Sequence, residues 1–165
     1  MVATVTIGEK NGAGGTYTNK TSDVIRMKNA DNATVDSSNP MVIPGSGSDW
    51  SFEKWLRLKI GATGPAVQIT NAKFYTDGAN GMGTGVSLWA KAVSSFATPA
   101  EGTASTGYTD AFSYTSGSAL SLGAGPFTAI NTEFGDHVVL LLQVASTATQ
   151  GSTPTETVTF TYDEI

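Results

Sequence analysis

Residues 155–163 read Thr-Glu-Thr-Val-Thr-Phe-Thr-Tyr-Asp, an almost unbroken alternation. Successive side chains of an extended chain point to opposite faces. The pattern therefore sets Glu156, Val158, Phe160 and Tyr162 against a threonine face that also carries Asp163, the latter expected in solvent. The same period recurs in Leu56-Arg57-Leu58-Lys59-Ile60, in Val86–Lys91 and in Val2–Ile7. No apolar run of helical length with a 3.6-residue period escapes interruption by glycine or proline. The chain is therefore read as all-β, an antiparallel β-sandwich of seven or eight short strands with a jelly-roll-like order.

Further strands are expected at 24–28 and 67–76, a short extended piece at 41–43 between Pro40 and Pro44, and a strand near 108–114. The nearly continuous apolar stretch from His137 to Ala145 suits a central strand packed on both faces. Residues 50–60 place Trp50, Phe52, Lys54, Leu56, Leu58 and Ile60 on one face and Glu53, Trp55, Arg57 and Lys59 on the other. A helix over 49–58, capped by Asp49, is the rival reading; the clean alternation that ends at Gly61 favours the strand. Residues 8–22, with Asn11-Gly12-Ala13-Gly14-Gly15 and Tyr17 as the lone large apolar group, read as a mobile loop or arm. The organisation is thus an N-terminal strand and flexible arm (1–22) followed by one sandwich domain (23–165).

Composition narrows the function. The 165 residues carry 14% charged side chains and a net charge of −5, with two arginines and scattered lysines, which argues against nucleic acid as the partner. With no cysteine, thiol catalysis, disulfides and Cys-ligated zinc are excluded. The start, Met1-Val2-Ala3-Thr4, lacks the basic-then-apolar pattern of a signal peptide, and the longest apolar run, 138–142, is too short to span a bilayer. The expectation is a chain made in a cytoplasm, without a membrane partner.

Candidate chemistry is sparse. His137, the single histidine, lies beside Asp136 and near Glu133, which invites a hydrolase triad, yet no G-x-S-x-G elbow is present. Asp31 and Asp36 share a polar loop, and Asp77 precedes a glycine-rich turn; neither has the spacing of a calcium loop. Glu53 and Glu156 form a glycosidase pair only if folding brings them together. The reading is no enzyme, no catalytic residue, no cofactor and no metal. Trp50, Trp55 and Trp89 either line a sugar platform or, as large aromatics usually do, fill the core, with Trp55 a candidate for an interface. The residues singled out for partner binding are Gly14, Tyr17, Trp55 and Arg57.

Four segments carry a resemblance: residues 50–59, 69–78, 134–144 and 157–164. They resemble small β-rich proteins encoded among the head genes of tailed bacteriophages. The resemblance implies a virion structural role and no catalytic residues. Within that role, and as an inference beyond the resemblance, the expectation is a capsid decoration (cement) protein on the capsid surface, bound to the major capsid protein and assembled as a homotrimer. The alternative is a carbohydrate- or receptor-binding β-sandwich module of a virion or secreted protein.

Overall fold

The computed structural model describes residues 3–61, 68–151 and 154–165. Val2 and Val67, at the starts of two expected strands, lie outside the described residues. Among these residues ten strands alternate with turns: β1 (Val5–Asn11), β2 (Thr16–Asn19), β3 (Ser48–Trp50), β4 (Lys54–Ile60), β5 (Ile69–Thr76), β6 (Val86–Val93), β7 (Thr109–Asp110), β8 (Leu120–Gly123), β9 (Thr132–Ala145) and β10 (Val158–Glu164). One 3-10 turn, Ala111–Ser113, accompanies them, and no α-helix occurs among the described residues.

The strands form two antiparallel sheets. A seven-stranded sheet runs β2-β1-β4-β9-β6-β7, with β3 also paired to β9, and a three-stranded sheet runs β10-β5-β8. They pack face to face as a β-sandwich; a division into seven and three strands does not by itself establish the two Greek keys of a jelly roll. β9 is the axis of the large sheet. Its 14 residues meet β3 and β4 along one edge and β6 along the other.

Parity along β9 explains its composition. Val138, Leu140, Leu142 and Val144 face the small sheet and join the core cluster. Val139 and Leu141 point to the outer face of the large sheet and are buried there too. The expected two-sided burial of this strand therefore holds. From the small sheet, Ile69, Ala72, Phe74 and Leu122 close the core. Between Leu56 and Leu58 of β4 the partner strand advances from Val138 to Phe134, a bulge centred on Gly135. Gly135 has φ +69, and a Cβ there would lie 2.8 Å from the Leu122 carbonyl, so only glycine lets β8 approach this closely.

Several sequence expectations change. Residues 8–22 are no arm: 8–11 extend β1, and 16–19 return as β2 in a hairpin closed by the Gly15 N–H donating to the Gly12 carbonyl. The hairpin forms because Gly8 lacks a side chain, letting the Tyr17 ring lie across it, while Tyr17 Oη and Thr6 Oγ1 are 2.9 Å apart. Residues 24–28 and 41–43 lie outside the assigned strands. β8 was missed because Leu-Ser-Leu-Gly is too short to show a period. Thr159 and Thr161, expected in solvent, are half-buried.

Candidate functional site

The large sheet is wider than the small one, so part of its inner face extends past the free edge of β10. Residues 20–47, irregular throughout, cover that strip. Their anchors are polar. Lys20 donates its N–H to the Ile7 carbonyl at 2.7 Å, and Lys28 Nζ donates to the Thr34 carbonyl and to Asp36. Asp31 accepts from Asn11 Nδ2 and from the Gly12 N–H, both at 2.8 Å, and Asp49 accepts from the Val42 N–H. The cover is therefore tied at its edges and does not fill the space beneath.

What remains is a groove of about 870 Å³, near the upper end of ordinary ligand cavities. Leu88, Leu140, Leu142 and Val144 form its floor, Val158 and Phe160 of β10 one wall, and Met27 and Met41 the other. Apolar side chains continue onto the rim, where Val24, Val42 and Ile43 are 48%, 59% and 37% exposed. An apolar opening continuous with exposed aliphatics marks a surface that gains from being covered. In the sequence 24–28 read as a short strand and 41–43 as a short extended piece around a polar stretch; nothing local indicated that they flank an opening.

The residues chosen from sequence fall elsewhere. Gly14 is exposed in the β1–β2 turn. Tyr17 lies across Gly8, whose cross-strand partner is Arg57, so these two share the outer face of the large sheet, where Lys59 Nζ lies 5.4 Å from the centre of the Tyr17 ring. Arg57 donates from Nε to the Gly135 carbonyl at 3.0 Å and sits 3.6 Å from Glu133. Trp55 is a correction. It is 3% exposed, packed edge-on against Phe96 and His137, because residues 94–108 cross over it. It cannot present itself to a partner while that loop is in place.

The other tryptophans also leave the core. Trp50 pairs with Gln143 and Trp89 with Leu141, which puts both on the outer face. No tryptophan belongs to the inter-sheet cluster, contrary to the core assignment. The break at 51–53, where Phe52 bridges to Glu101, resets the alternation, so Trp50 does not share the face of Leu56. Trp89 Nε1 donates to Gln143 Oε1 at 3.1 Å, and Gln143 Nε2 donates to Ser48 Oγ at 2.8 Å.

His137 is fully buried. Its Nδ1 lies 3.2 Å from the Val93 carbonyl, its Nε2 has no hydrogen-bond partner, and neither Asp136 nor a serine bonds to it. Burial, helped by the positive charge of Arg57, holds its pKa below the ordinary histidine value. The unfolded chain then takes up the proton first as pH falls. The stability contributed by neutral His137 is complete above pH ~6.5 and is lost as pH drops toward the lower folded value. His137→Phe is expected to flatten the fall of unfolding free energy between pH 6.5 and 5, by up to ~1.4 kcal/mol per pH unit. Urea melts of both proteins across that range read this directly, and parallel pH profiles would refute it.

The remaining carboxylates are engaged separately. Burial pushes the Glu53 pKa up, but hydrogen bonds from Tyr108 Oη and Trp55 Nε1 and the charge of Lys91 outweigh it and hold the group below its ordinary value. Glu53 thus belongs to the outer face, whereas Glu156 lines the groove on the inner side, so they form no pair. Asp77 accepts from the Ala79 N–H, a turn contact. Among the described residues, no group of three or more His, Cys, Asp or Glu side chains is placed to hold a metal ion, and no helix is long and apolar enough to cross a membrane. No protein-family model matches the chain, and the comparisons with curated proteins and with solved structures found no match.

Proposed function

We propose that this chain is a virion structural protein of a tailed bacteriophage, a capsid decoration protein made in the host cytoplasm that binds the major capsid protein on the assembled head. The observation that carries the reading is the apolar groove with Val24, Val42 and Ile43 exposed on its rim. Such a surface serves binding, and His137, the residue best suited to catalysis, is enclosed by Trp55 and Phe96. The net charge of −5 suits a basic protein surface and repels nucleic acid. A homotrimer matches threefold positions of a shell.

Mixing the protein with heads prepared without it tests the reading. Stoichiometric density at one lattice position is the expected image, with decorated heads opening at a higher temperature than bare ones. Absence of the protein from purified particles overturns it.

A second reading, a carbohydrate-binding module, is favoured by one observation. Trp50 and Trp89 are half-buried on the outer face and flank Gln143, a combination of ring and amide that suits a sugar. A glycan array distinguishes the two: retention of one glycan, abolished by Trp89→Ala, supports the sugar reading.

A further inference from the structure

We infer that the groove receives an extended segment of the capsid subunit, which adds to the small sheet as a fourth strand along the free edge of β10. This rests on the virion reading and specifies how the contact is made. β10 pairs with β5 on one side only, and no backbone ladder occupies its other edge among the described residues. An unpaired edge offers a row of N–H and C=O groups to an incoming strand. The groove lies against that edge, since residues 155–158 and Phe160 line it. Its floor is the inner face of β6 and β9, where Leu88, Leu140 and Leu142 are already buried and Met27 and Met41 pack against the same cluster. One strand added beside β10 would satisfy the open ladder with its backbone and turn every second side chain toward the groove. A lipid chain would enter the groove and leave the ladder open.

Charge selects the occupant. From residue 155 to Ile165 the chain carries Glu156, Asp163 and Glu164 and no lysine or arginine; elsewhere the groove is lined by Lys20, which pairs with Asp23, and by Arg26. A second copy of this chain is disfavoured, because antiparallel pairing of two β10 strands centred on Phe160 sets Glu156 opposite Glu164 at both ends. Like charges directly opposite destabilise a strand pair. The fitting occupant alternates apolar side chains over about six residues and carries lysine or arginine at its ends.

Hydrogen exchange read by mass spectrometry, on the free protein and on the protein bound to heads, tests this. Backbone amides at 155–160 are expected to exchange at least tenfold more slowly on the head. Val42→Asp combined with Ile43→Asp, both exposed and so compatible with folding, is expected to weaken head binding at least tenfold. Val35→Asp, 44% exposed on the same segment but outside the groove, is expected to leave binding unchanged. Head binding with unchanged exchange at 155–160 overturns the inference and leaves the virion reading standing. Slowed exchange that appears with rising concentration of the free protein assigns the edge to a second copy and overturns it as well, as does a lipid retained by the purified protein in native mass spectrometry. If the unaltered protein fails to bind heads, the virion reading falls and takes this one with it.

Discussion

Lys54→Met should destabilise the fold by about 3–5 kcal/mol, the usual cost of leaving a buried charge without its partner. Lys54 and Glu9 are both fully buried, with Nζ 2.9 Å from Glu9 Oε1 and 2.7 Å from the Asn32 carbonyl. They lie on the inner face of the large sheet, beyond the reach of the small one, where residues 20–47 close over them. Removing the ammonium leaves the buried Glu9 carboxylate without its counter-charge, with only Asn11 Nδ2 donating to Oε1 at 3.1 Å and no partner on Oε2. It also frees the Asn32 carbonyl and loosens the cover. The combined variant Glu9→Leu/Lys54→Met should recover most of the loss, because a pair of apolar groups asks for no partner. Urea unfolding of these two variants, of Glu9→Leu alone and of the unaltered protein forms a double-mutant cycle. A single Lys54→Met change costing under ~1 kcal/mol would show that water reaches the pair and that the cover is open there.

Phe74→Ala should cost a similar amount, about 3–5 kcal/mol, through lost transfer energy and the cavity left behind. Phe74 is fully buried at the centre of the small sheet, paired across the ladder with Phe160 and edge-on to its ring at 5.4 Å. An edge-to-face pair of this kind adds ~0.5–1.5 kcal/mol beyond burial. A sheet of three strands has few other residues with which to refill the space. Since a domain of this size is held by about 5–15 kcal/mol, this change removes a large share of the margin. Thermal and urea melts measure it. A loss near ~1 kcal/mol would mean that the small sheet collapses inward, and the groove wall at Phe160 would then shift with it.

Much of the sheet structure was legible. The apolar stretch 137–145 announced a strand buried on both faces, which occurs as read, and Leu56, Leu58 and Ile60 announced a buried face, which occurs too, although Trp55 on the opposite face is buried as well. The alternation at 155–163 gave β10, Val158–Glu164, with its end one residue short and its start three residues early. The β1–β2 hairpin was hidden because Gly8 contributes by lacking a side chain, which no hydrophobic period records. Trp50 was placed on the wrong face because a three-residue break between β3 and β4 resets the count. Lys20 and Lys28 were read only as scattered lysines, and Lys54 as a lone charge on the apolar face of its strand; all three are buried beneath or within the cover. Their partners come from sequence-distant or irregular segments that no local pattern identifies.

The sequence by itself determined that this protein is built of strands and which side chains of its longer strands share a face, because facing follows from backbone geometry one residue at a time. Only the tertiary structure decided that seven strands oppose three, that 20–47 covers the uncovered strip, and that a groove stays open beside β10. Sheet width and strand order depend on pairings between distant segments, and a groove exists where two such widths fail to match.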